Sequence, residues 1–431
     1  MLHSSADEPN PVSAEAWLER LHGYRGANLY RSLWELAITV VPFIGLWLLA
    51  WASLSISVVL ALLLVIPAAG FLVRIFMIQH DCGHGTFFKK RSTNDALGRV
   101  LGVLTMTPYD VWQRSHSVHH ATTGNLDHRG TGDIHTLTVR EYEALSWRGR
   151  LFYRLYRHPL VLFGLGPAHL FLLQHRLPLG YFRSGWRYWT SAMVTNVGIA
   201  VFFALIIWFA GLEALLLVHL PIVVLAATIG VWLFYVQHQF EDTHWRQGEA
   251  WNVHEAGLAG SSFYDLPVVL RWLTANIGMH HVHHLCSRIP FYRLPEVLRD
   301  HPELRDVRTI TLMDSLKCAK LKLWDEDRER LISFREFREG TAADACEAVV
   351  DRLNAGVAPQ SIYDALFLGA GELLMRQPGI VALHAVTTTN ALRYGYQTAA
   401  SENTRKMLLL QNAAFLVMFR EAMKGRGEVG S

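Results

Sequence analysis

The sequence predicts an all-α membrane protein: four transmembrane helices in two hairpins, a cytoplasmic helical cap, and a C-terminal helical module. Three observations carry that expectation. Apolar residues make up 51% of the 431 positions and charged residues 18%, too apolar for an ordinary soluble chain and too polar for one lying wholly in lipid. Four apolar runs, at 33–52, 55–78, 189–211 and 214–236, each approach the roughly 20 residues that a helix needs to cross the hydrocarbon core. Only short links, "SLS" and "GLE", separate the members of each pair.

The first 29 residues are polar and mixed in charge, with no apolar stretch of the kind a cleaved signal peptide carries, so the first run is expected to remain as an anchor. Both hairpin links lack Lys and Arg, whereas the opposite flanks are basic. Arg20, Arg25 and Arg31 precede the first run, and Lys89, Lys90 and Arg91 follow the second. Arg140, Arg148, Arg150, Arg154 and Arg157 lie in the middle loop, with Arg176, Arg183 and Arg187 before the third run. Positive charge stays on the cytoplasmic side, which places both tips outside and the large polar segments in the cytoplasm.

Two weaker apolar stretches, 97–107 and 160–173, are too short to span and read as interfacial or re-entrant helices. Segment 239–335 reads as soluble. Composition changes again toward the C-terminus, where the charged run "DEDRERLISFREFREG" opens the tail. Interrupted apolar stretches at helical spacing follow, giving a small helical module at 336–431, soluble or resting on the membrane surface.

Net charge is +3 and scattered, which excludes a nucleic-acid footprint. Cys82, Cys286, Cys318 and Cys346 form no CxxC pair, so neither a disulfide framework nor an iron–sulfur domain is expected. Histidine is the outlier, with 22 residues. "HDCGH" supplies His80 and His84, "HSVHH" supplies His116, His119 and His120, and "HHVHH" supplies His280, His283 and His284. Helical positions i, i+3 and i+4 share a face, so each group is ready to converge on a metal. Eight clustered imidazoles are twice what one tetrahedral zinc takes, and the boxes themselves hold no ligating glutamate pattern. Imidazole suits iron among other metals, and a histidine-rich di-iron centre that activates dioxygen is the sharper reading.

The stretches "IQHDCGHGTFF", "DVWQRSHSVHHATTGNLDHRGTGDIHTLTVREY", "FYVQHQFEDTHW" and "NIGMHHVHHLCSRIPFYRL" resemble the membrane fatty acid desaturase family, nearest its bacterial acyl-lipid, methyl-end members. The resemblance covers roughly 30–335, leaving 1–29 as a polar N-terminal segment and 336–431 as a module of unknown role. It implies a cytoplasmic cap holding two iron ions, and a ninth ligand, His238, at the end of the fourth span. It also implies a cis double bond made in an acyl chain, with dioxygen and two external electrons. The expected substrate is an acyl-lipid or acyl-thioester, in a bacterial inner membrane with the active site cytoplasmic.

Related membrane di-iron hydroxylases and ketolases of alkanes or carotenoids share the histidine boxes and form the alternative. No haem motif, cysteine cluster or dinucleotide fingerprint is present in the sequence, so a separate ferredoxin or b-type cytochrome is the expected donor. Asp81, Asp127, Asp133, Glu241 and Asp242 lie beside the boxes and are candidates to hold ligand histidines by their second nitrogen. His128, His135 and His244 depart from the family pattern and read as surface residues or as supports of the ligands rather than ligands themselves; His281, which points about 100° away from His280 on a helix, is also left out of the ligand set.

Overall fold

The computed structural model describes residues 13–305, 308–334 and 340–424. Residues 1–12 of the polar N-terminal segment and the expected boundary at 335/336 lie outside them. The chain divides into two compact units, Met1–Ser333 and Phe334–Ser431.

Four helices among the described residues are long and apolar enough to cross a membrane: Leu29–Ser53, Val58–His84, Trp186–Ala210 and Leu212–His238. The chain is a membrane protein. Asn28 and Ser57 cap the first two spans by accepting from the amides of Arg31 and Leu60. The second and fourth spans run past their apolar sequence runs. The first half of the second faces outward, with Val59, Leu63 and Ile66 exposed, whereas the fourth already buries Ala214, Val218 and Ile222. The last turns of both are enclosed by the rest of the first unit and so tolerate polar residues, Gln79 and His80 in one and Gln237 and His238 in the other. Gly85 ends the second span in the left-handed conformation, φ 73°, which a side chain would strain.

The cap is built from short helices. Arg91–Leu104 takes in the 97–107 stretch up to Leu104, and Tyr109–Thr122 carries the second histidine box. The 160–173 stretch forms a π-helical turn and a short α-helix, Val161–Leu165 and Gly166–Leu172, with Phe163 edge-on to Trp232 and Tyr235 of the fourth span.

Sequence reading gave no strands, and the structure adds two small sheets among the described residues. Phe263–Asp265 pairs in parallel with Thr309–Thr311, and Leu321–Asp325 pairs antiparallel with Arg330–Ser333. The second corrects the reading of "DEDRER" as the start of the tail. That run holds the turn of a hairpin in the first unit, and Trp324 and Leu331 are buried from its two strands.

Among its described residues the second unit has the helices Ala342–Asn354, Pro359–Arg376, Ile380–Thr398 and Glu402–Lys424. Val349, Ile362, Tyr363, Leu409 and Ala413 form a core of their own. Thr341 and Asp344 make a reciprocal capping box at its first helix.

Candidate metal centre

Three elements and one helix end deliver nine imidazoles to one place. His80 and His84 occupy the last turn of the second span, and His238 is the final residue of the fourth. His116, His119 and His120 come from Tyr109–Thr122, whose start is fixed by buried interactions. The Tyr109 hydroxyl, with one proton to share, lies 2.8 Å from both the Cys82 carbonyl and the Asp95 carboxylate. Buried Asp110 accepts from Arg99 and Arg187, each at 2.9 Å. His280, His283 and His284 come from the six-residue helix His280–Leu285. The approach to that helix is tight: a Cβ on Gly278 would stand 2.3 Å from the Tyr264 carbonyl oxygen, so only glycine fits.

The nine fall into two groups, His80, His84, His116, His120 and His283 in one and His119, His238, His280 and His284 in the other. Within each group the candidate ligand atoms all lie within 4.8 Å of one another. The groups adjoin, since the rings of His120 and His284 stack with centroids 4.0 Å apart.

The atoms that face one another are Nε2 throughout. His116 Nε2 stands 3.0 Å from those of His84 and His80 and 3.1 Å from that of His120, and His283 to His120 is 3.1 Å. In the other group His119 is 3.1 Å from His238 and 3.3 Å from His284, and His280 is 2.9 Å from His238. A ring nitrogen carries either one proton or one in-plane lone pair, so it makes one hydrogen bond. His116 has three such neighbours, and protons alone leave two of those contacts unsatisfied. A shared cation resolves them. Imidazole nitrogens about 2.1 Å from one ion and at right angles stand about 3.0 Å apart.

Burial, and then the positive field of the neighbouring rings, hold His116, His120, His280, His283 and His284 below imidazole's usual range, so they are neutral ligand-type groups. The donor set fits a first-row metal with imidazole preference, and the residues present accommodate two such ions.

The outer nitrogens are held in two cases. His119 Nδ1 pairs with the Asp133 carboxylate, and His238 Nδ1 lies 3.3 Å from the Gly260 carbonyl. Asp81 sits 3.5 Å from His80 Nδ1 while accepting from the Phe291 amide at 2.8 Å, which ties the first box to the segment after the third. The other three carboxylates have different partners. Asp127 accepts from the Gly248 amide, Glu241 pairs with Arg330, and Asp242 with Arg308 at 3.1 Å. Each of these three is exposed, so solvent together with a backbone amide or a surface arginine satisfies it without a histidine.

His281 turns away from the cluster. Its Nε2 lies 2.9 Å from the Leu304 carbonyl, and burial pushes the imidazole down to about 4. His128 and His135 are exposed and His244 is half-buried, all outside the two groups.

Sequence reading missed a buried ion pair one and a half turns before His80. Arg74 of the second span pairs with Glu35 of the first and donates to Thr39 at 3.1 Å and to the Trp272 carbonyl. The signal was present, because Glu35 and Arg74 are the lone charges inside the first two apolar runs.

A family model described as fatty acid desaturase matches residues 54–311. A fatty acid desaturase of Bacillus subtilis is 49% identical over 307 residues, covering 71% of this chain and 87% of that protein. An sn-1 acyl-lipid omega-3 desaturase (ferredoxin) of Synechocystis is 28% identical over 232 residues, 51% of this chain and 61% of its own. An sn-1 oleoyl-lipid 12-desaturase of Synechocystis is 27% identical over 268 residues, 60% of this chain and 71% of its own. All three are desaturases by name, and none lends weight to the hydroxylase or ketolase alternative. Matched from residue 54 to 311, which takes in three of the four spans and all three histidine boxes, the chain is a member of the fatty acid desaturase family.

Proposed function

We propose that the chain holds one iron in each histidine group and introduces a cis double bond into the acyl chain of a membrane lipid. The convergence of nine Nε2 atoms with too few protons to satisfy them is the observation that carries this reading. When bound, the two irons supply the dioxygen chemistry. Two hydrogens leave adjacent methylenes, two electrons and two protons come from outside, and dioxygen ends as two waters. The chain's own residues fix the rings: Asp133 and the Gly260 carbonyl take the Nδ1 protons of His119 and His238 and aim both Nε2 lone pairs inward.

An acyl-lipid substrate and a ferredoxin as electron donor are proposed by extension from the named relatives, with a b-type cytochrome as the second donor class. The basic flanks favour the histidine end on the cytoplasmic side of a bacterial inner membrane. Expression in a host with saturated lipids, followed by mass spectrometry that locates double bonds, tests the reading. A hydroxylated or ketone product, or none from an iron-loaded protein given a donor, rejects it.

Asp133→Asn is expected to weaken iron binding by about 10- to 100-fold, because the amide no longer holds His119 as a carboxylate does. Chelator competition on the purified protein measures this, and unchanged affinity would show that Asp133 is a surface contact.

The division of labour is also proposed. Residues 30–335 carry the oxidation, and 336–431 is a module that adds none of its chemistry. A chain truncated after Phe334 is expected to insert, bind iron and desaturate lipid at a rate within about twofold of the full chain. A stable, iron-loaded but inactive truncation would place the module in the catalytic machinery.

A further inference from the structure

The helix Val268–Leu273 lies in a segment that reads as soluble, yet it packs against the second span at membrane depth. A Cβ on Gly70 would stand 3.3 Å from Leu273. The rings of Phe71 and Trp272 meet edge-on at 5.7 Å, and the Arg74 guanidinium lies 4.1 Å from the Trp272 ring centre. The span begins at Val58, so Gly70 and Arg74 lie about 18 Å and about 24 Å along it. With a hydrocarbon core about 30 Å thick, these contacts sit roughly 6–12 Å inside the boundary on the histidine side.

The exposure pattern matches that depth. Val268 is 76% exposed, Val269 69% and Leu270 40%, an apolar tip that water would not favour. Most of the irregular backbone on either side is covered by protein: Leu266, Thr274, Ala275 and Ile277 are buried, while exposed Pro267 has no N–H and its carbonyl accepts from the Arg271 amide. Lipid tolerates non-helical backbone only under such cover. Arg271, the one charged residue of the helix, folds back to Asp265 at 2.7 Å and to the Leu266 carbonyl, toward the base of the loop. The return turn is unusual. Ala275 and Asn276 are both left-handed, φ 50° and 58°, and the Asn276 amide donates to the Phe291 carbonyl at 3.2 Å.

We propose that residues 266–277 form a re-entrant element dipping into the leaflet on the histidine side, with Val268, Val269 and Leu270 in contact with lipid acyl chains. The third box begins at His280, a few residues after this element, so the bilayer itself helps to fix the height of His280, His283 and His284. The inference rests on the membrane reading of the four spans and not on the reaction.

The test uses the full chain carrying Cys346→Ser, which removes the partly exposed native thiol and leaves three buried ones. Val269→Cys, Val41→Cys in the first span and Arg288→Cys on the cap are each labelled with a fluorophore in phosphatidylcholine–phosphatidylglycerol vesicles. Val41 is 67% exposed within a span, and Arg288 is exposed outside one. The Val269 label is expected to be quenched by acyl-chain nitroxide lipids to within about twofold of the Val41 label, and to resist aqueous iodide. Iodide quenching equal to that at Arg288 would place the helix in water. Shielding from both quenchers would place it against a second copy or another protein. Either result overturns the proposal, and Val268→Cys repeats the measurement if the first variant expresses poorly.

Discussion

Replacing His116 or His283 with alanine is expected to abolish unsaturated product, by more than about 100-fold, and to lower iron per chain at unchanged expression. Both belong to the five-imidazole group, and both face neighbours through Nε2: His116 at 3.0–3.1 Å to three rings and His283 at 3.1 Å to His120. Removing one ligand weakens the ion's hold and leaves the remaining lone pairs in a buried site with no donor. His128→Ala and His244→Ala are the controls, since neither ring joins either group, and both should retain most activity. Product analysis and iron content on the same preparations decide the matter. Should His244→Ala be as inactive as His283→Ala at equal expression, the ligand set is wrong. Anaerobically purified, iron-supplemented protein that holds one zinc and no iron would reject the metal assignment itself.

The spans and the boxes were legible in the sequence because both follow local rules. Four apolar runs of about 20 residues have one stable arrangement in lipid, and i, i+3, i+4 histidines share a face wherever a helix forms. His238 was different, because only resemblance pointed to it. Its place at the end of the fourth span follows from how that span meets the cap.

What failed to show through was tertiary. The strand Phe263–Asp265 has only three residues and pairs with Thr309–Thr311, 46 positions later, so no local alternation marks it. The hairpin Leu321–Asp325 with Arg330–Ser333 was hidden by its own charged turn. "PVVLRW" is too short to span, and only its packing on Gly70 and Arg74 gives it a depth. Among the acidic candidates, proximity in sequence did not separate Asp133, which reaches a histidine, from Asp127, which reaches the Gly248 amide instead.

Breaking the Arg74–Glu35 pair is expected to cost about 3–5 kcal/mol of stability from either side, the usual range when one partner of a buried ion pair is removed. Both side chains are at most 2% exposed, and both lie in apolar spans where water cannot compensate. Arg74→Met leaves the Glu35 carboxylate with Arg31 alone, a 2.8 Å contact to a half-exposed side chain. Glu35→Gln leaves the guanidinium with Thr39, the Trp272 carbonyl and the faces of Trp272 and Phe291. Each single variant therefore keeps a charge that its surroundings only partly satisfy. The double variant keeps neither, so its cost should fall well below the sum of the two singles, and that shortfall is the signature of a coupled pair. Thermal unfolding in detergent gives all four corners of the cycle. Iron content is expected to fall with Arg74→Met as well, because the arginine holds Trp272 and so the chain that leads into His280. Additive losses from the two singles, with iron retained in both, would show that Arg74 and Glu35 act independently and that the clamp has no hold on the metal centre.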